Sequence, residues 1–112
     1  MSGKKIDVLQ LSSMIAAVGS HEIQRLLCKY HHDSKNSVEH VRIAGEKGDE
    51  VELGRAIHSL KGVSSNLGFS AVTYFLDQIR TGSAKQDIDI SSLELEIHAS
   101  LMEAQELVSS FN

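Results

Sequence analysis

Apolar residues return along most of this chain at intervals of three and four, the spacing of one face of an α-helix. Ile6, Leu9, Met14, Ile15 and Val18 mark a first short helix that ends near Gly19. Ser20 is placed to cap the next helix, because a serine oxygen accepts a hydrogen bond from a first-turn N–H. Ile23, Leu26, Leu27, Tyr30, Ser34, Ser37, Val38, Val41 and Ala44 then predict one long helix over about 21–46. The apolar signal weakens from Asp33 to Asn36, so a break near 34 is the alternative. Gly48 stops this helix. Asp49 with Glu52 reads as a capping box that opens a helix to about Leu67, ended by Gly68. Ser70 is expected to cap a short helix to Thr81, followed by Gly82 and a polar loop over 82–90. Ser91 with Glu94 reads as another capping box. Leu93, Ile97, Leu101, Ala104, Leu107, Val108 and Phe111 mark the last helix.

Short connections set consecutive helices antiparallel. The expectation is a single all-α domain over 1–112: an antiparallel up-down four-helix bundle with a short additional N-terminal helix. Composition narrows this further. With three Phe, two Tyr and no Trp in 112 residues, the core must be aliphatic. The absence of proline argues against a turn-rich β fold. One cysteine, Cys28, excludes an internal disulfide framework and a cysteine zinc site. Fifteen acidic residues against eleven basic ones, net −4, disfavour a nucleic-acid partner. No run approaches the roughly 18 apolar residues of a membrane span. Asp7, Gln10, Ser12 and Ser13 interrupt what would be a signal-peptide core. A cytoplasmic protein without a membrane partner is expected, and the initial Met mildly favours a whole protein over a domain cut from a larger one.

The helix around residue 58 departs from the pattern. On a wheel of about 100° per residue with His58 at zero, Leu53, Ala56, Ile57, Leu60, Val63, Ser64 and Leu67 fall between about 140° and 260°. His58 therefore points away from the core. Gly54 and Gly62 lie one turn before and after it, with Lys61 and Ser65 on the same side. Each glycine inside a helix costs about 1 kcal/mol relative to alanine. Two of them around one exposed histidine make sense if something must approach that imidazole closely. The other histidines, His21, His31, His32, His40 and His98, carry no such surroundings and read as solvated surface residues.

The stretch His58-Ser59-Leu60-Lys61-Gly62-Val63-Ser64-Ser65-Asn66-Leu67-Gly68 closely resembles the signature of the histidine-containing phosphotransfer (HPt) family. That signature is His, two residues, Lys-Gly, a run of small residues, then an aliphatic and Gly. Gly48-Asp49 before the helix, Val18-Gly19 as an early turn and Tyr30 at a usual Phe position extend the likeness. So does Leu76-Asp77-Gln78-Ile79-Arg80-Thr81-Gly82, where Asp77 stands for the usual Glu. Length and the place of the histidine resemble the small free-standing phosphorelay proteins of bacterial quorum sensing.

The resemblance implies a four-helix bundle and a phosphoryl carrier rather than an enzyme. His58 would accept a phosphoryl group from a receiver-domain aspartate and pass it to a response regulator. A sensor hybrid histidine kinase would stand upstream, and the carrier itself would be a monomer. It would need no cofactor of its own, since the receiver brings Mg²⁺. Lys61 would place positive charge near the phosphoryl oxygens, Gly62 and Gly54 would give access, and Ser65 would offer a hydrogen bond. Arg80 falls where many members place a Gln or Glu that hydrogen-bonds the histidine ring. An arginine cannot accept such a bond, so it would contact phosphate or turn away.

Other chemistries fit worse. No His-Glu-x-x-His occurs, adjacent His31 and His32 point apart on a helix, and Gly45 to Gly48 ends a helix rather than forming a phosphate loop. A metal site and a kinase or hydrolase are therefore not expected. The alternative from another class is a helical adaptor that binds receiver or kinase domains without being phosphorylated.

Overall fold

Five helices carry the chain in the computed structural model, which describes residues 4–79 and 88–111. They are α1 (Val8–Val18), α2 (Ser20–Lys47), α3 (Glu50–Asn66), α4 (Ser70–Asp77) and α5 (Ile90–Ser110). No strand occurs among the described residues. At about 1.5 Å per residue, the 28 residues of α2 account for most of the 47 Å long axis.

The long helix is unbroken. Asp33, Lys35 and Asn36 lie on its exposed side, while Ser34 is buried between Tyr30 and Val38. The weak apolar signal near 34 therefore reflects one small buried residue, whose hydroxyl donates to the His31 carbonyl at 3.3 Å. The helix ends as predicted at Gly48, which takes a left-handed φ of 66° that disfavours any residue with a Cβ.

Several helix starts differ from expectation by one or two residues. Gly19 occupies the cap position of α2, and Ser20 is its first helical residue. Phe69 takes the cap position of α4, and the Ala71 N–H finds the Lys5 carbonyl at 3.1 Å instead of a serine cap. At α5 the cap is Asp89, not Ser91: its carboxylate accepts from the Ser92 N–H at 3.0 Å and the Ser92 hydroxyl at 2.8 Å. A carboxylate is the stronger acceptor, and these bonds hold the Asp89 carboxyl below its usual range. Helix α4 ends at Asp77 rather than Thr81, with tight turns from Gln78 and Ile79 N–H to Phe75 and Leu76 carbonyls. Thr81, Gly82 and the loop to residue 87 lie outside the described residues.

The core is aliphatic. Helix α2 packs against α3 and α5, α4 bridges α3 and α5, and α1 lies against α2 and α5. Leu11, Ile23, Leu60, Phe69, Val72 and Leu93 are completely enclosed. Phe69 adds an edge-on contact with Tyr30, ring centres 4.9 Å apart. Three apolar positions that mark the first and last helices are exposed, Leu9 at 81 %, Val18 at 55 % and Phe111 at 48 %; α1 buries Ile15, as expected, together with Leu11. No helix among the described residues is long and apolar enough to cross a membrane.

Candidate functional site

Helix α3 is fixed at both ends and along its inner face. Asp49 caps it by accepting from the Glu52 N–H at 3.2 Å. The capping box is half formed, because the Glu52 carboxylate turns to Arg55 at 3.2 Å. At the far end, the Gln10 amide donates to the Ser65 carbonyl at 2.8 Å, and the Asp7 N–H to the Gly68 carbonyl at 2.7 Å. Gly68 has a φ of 76°, and a Cβ there would come within 3.3 Å of the Asp7 carbonyl oxygen. Between these ends Leu53, Ile57, Leu60 and Ser64 are buried. The rotation of the helix is thereby set, and His58 faces solvent.

The wheel places Ser64 on the buried arc of α3, where it is fully enclosed. Its hydroxyl also meets the Tyr30 hydroxyl at 2.8 Å inside the core. Burial pushes the Tyr30 phenol up to about 12, against the smaller downward effect of the Ser64 bond. One signal was available: a tyrosine at an otherwise aromatic-apolar position needs a buried partner for its hydroxyl.

Around His58 the surface is bare. An added Cβ at Gly54 or Gly62 would meet nothing within 4 Å. Neither glycine is therefore a packing requirement. The His58 side chain makes no hydrogen bond or ion pair among the described residues. Exposure alone does not single it out, because all six histidines are exposed. What distinguishes His58 is the open space one turn to either side, on a helix held rigidly from below.

Lys61 lies one turn on, where it was expected to stand ready for a phosphoryl group. Its ammonium instead pairs with Asp77 of α4 at 2.5 Å, with side-chain exposures of 42 % and 52 %. A wheel of one helix could not reveal a partner on another. Ser65 is exposed beyond Lys61. Arg80 lies outside the described residues. Val63 corrects the wheel: it is 47 % exposed rather than in the core. It borders an open apolar groove of about 410 Å³ between α2 and α3, with Met14, Leu26, Tyr30 and Leu67. Among the described residues no cluster of His, Cys, Asp and Glu assembles that would hold a metal ion.

The chain matches the family model of the Hpt domain over residues 21–108, which takes in α2 through most of α5 and all of the surface around His58. The chain belongs to the Hpt family. Comparison with curated proteins and with solved structures returned no match. Hpt domains are phosphocarriers of two-component phosphorelays, and they interact there with receiver domains and kinases. This Hpt domain carries α1 ahead of the matched span, tied to α3 and α4 through Asp7, Gln10 and Lys5.

Proposed function

We propose that this Hpt domain accepts a phosphoryl group on His58 from a receiver-domain aspartyl phosphate and returns it to the aspartate of a response regulator. The observation that carries this reading is the solvent-facing imidazole between two glycines that leave open space. A ring-nitrogen lone pair attacks phosphorus in line. The new N–P bond forms as the P–O bond to the aspartyl carboxylate breaks, and the carboxylate leaves with the electron pair. Such a transfer needs mostly positioning and charge stabilisation. The receiver's own Mg²⁺ would supply further charge neutralisation there. This chain contributes an imidazole on a firmly anchored helix, unhindered approach over Gly54 and Gly62, and the Lys61 cation. Ser65 and Arg80 are the further candidates for contact with phosphate or receiver.

On this reading the protein is a carrier rather than an enzyme, and it works as a cytoplasmic monomer between a sensor hybrid kinase and a response regulator. The short connections from α2 to α3 and from α3 to α4 support an antiparallel order for these three helices. Incubation with a phosphorylated receiver tests the proposal against the adaptor alternative. A carrier takes the label from the receiver. An adaptor forms a complex and leaves the label where it was.

A further inference from the structure

Asp77 sits where a helix does not favour it. It is the last residue of α4, at the end where the helix dipole disfavours negative charge. It is not a cap for a neighbouring helix. Its carboxylate instead reaches α3 and holds the Lys61 ammonium at 2.5 Å. Lys61 thus has a carboxylate and the negative end of α4 on one side. His58 lies three residues back on the same helix, a spacing that places Cβ atoms about 5–6 Å apart. The lysine stem is long and flexible, so one ammonium can serve either neighbour. The other cation of this stretch, Arg55, is engaged by Glu52 at 3.2 Å.

We propose that Asp77 is a positioning residue that holds Lys61 in reserve and thereby sets the lifetime of the phosphohistidine. The inference rests on His58 being the phosphoryl acceptor. A phosphoryl group on His58 brings close to two negative charges and competes with Asp77 for Lys61. Both partners of the ion pair are roughly half exposed, and such pairs are weak, so the exchange is easily made. With Lys61 on the phosphoryl oxygens, the charged phosphohistidine is stabilised. With Lys61 on Asp77, it is left to water. In that loss a water oxygen bonds to phosphorus and the N–P bond breaks. Its electron pair returns to the ring nitrogen, and the products are His58 and inorganic phosphate.

The two halves of this ion pair therefore have opposite effects on the carrier, although they contribute the same contact to the fold. Removing the Asp77 carboxylate frees the lysine and lengthens the phosphohistidine lifetime. Removing the Lys61 ammonium shortens it. A pair that only fastened α4 to α3 would give the same result whichever partner was removed.

The test uses the full chain charged with phosphoramidate, which needs no partner protein: the donor P–N bond breaks, the His58 N–P bond forms, and ammonia leaves. Decay of the phosphohistidine is followed by phosphorus NMR at constant pH. Asp77→Asn should lengthen the half-life about two- to fivefold, the span expected for a weak exposed pair. Lys61→Ala should shorten it, Asp77→Glu should restore the wild-type value, and the double variant should decay like Lys61→Ala. Thermal melting of the two single variants should be alike. Equal half-lives for Asp77→Asn and wild type would overturn the proposal. So would an Asp77→Asn effect that persists without Lys61. Label on a different histidine would contradict the His58 reading itself and take the inference with it, an outcome distinct from a labelled His58 indifferent to Asp77.

Discussion

The hydroxyls of Tyr30 and Ser64 meet at 2.8 Å in the core, on the buried side of the helix whose outer side carries His58. Residues 34 apart in sequence are thus joined on the inner face of the helix that carries the site. Removing one partner leaves the other without its bond, which costs more than the bond itself contributes. Tyr30→Phe should lower unfolding stability by about 1 kcal/mol, because the Ser64 hydroxyl can turn to a carbonyl of its own helix. Ser64→Ala should cost about 1–3 kcal/mol, since the buried phenol has no such refuge. The double variant should recover much of the loss. Urea denaturation of the four proteins checks this; strict additivity of the two losses would mean the hydroxyls do not interact.

The same phenol predicts an alkaline transition. Burial raises Tyr30 to about 12 in the folded chain, whereas an unfolded tyrosine titrates near about 10. The folded state therefore prefers the neutral phenol. Its contribution is complete below pH 10 and declines by about 1.4 kcal/mol per pH unit as pH rises toward the folded value. Wild type should lose stability more steeply than Tyr30→Phe between about pH 10 and 12. Lysine ionisation affects both proteins and cancels in the comparison. Parallel stability curves would contradict this account of Tyr30.

Three glycines should respond to alanine with different signs. Gly54→Ala and Gly62→Ala meet open space and should each raise stability by about 1 kcal/mol through helix propensity. Gly68→Ala meets the Asp7 carbonyl at a left-handed φ of 76° and should lower it by about 1–2 kcal/mol. At 62 stability and function should separate: Gly62→Gln should melt no lower than wild type and transfer phosphoryl more slowly. If Gly62→Gln unfolds the chain, that glycine is a packing requirement. If it transfers at the normal rate, access is not what it provides.

Much of this structure is legible in the sequence because the wheel is a local device and most of these helices are local decisions. Asp49 before α3 and Gly48 after α2 stand where their chemistry requires them. The misreadings share a physical origin. Ser20, Ser70 and Ser91 are good caps in isolation, yet the chain turns earlier, at Gly19, Phe69 and Asp89, and at α4 and α5 other groups satisfy the first-turn amides. For α4 that group is the Lys5 carbonyl, 66 residues away from Ala71, and no sequence window contains both. Val63 falls at the edge of the apolar arc of α3, and how wide an arc is covered depends on the neighbouring helix rather than on α3. Lys61 shows the same limit at the site. Its own helix places it beside His58, and only the packing of α4 against α3 brings Asp77 to it.

The central claim is that one histidine of six exposed ones carries the phosphoryl group. The direct measurement is to charge the protein with a phosphorylated receiver, digest it at neutral to alkaline pH and locate the phosphate by tandem mass spectrometry. The phosphate should sit on the peptide containing His58 alone, survive base and be lost in acid, as a phosphoramidate is. His58→Gln should take up none while keeping the wild-type helical circular dichroism. Phosphate on any other histidine, or label retained by a folded His58→Gln variant, would contradict the account.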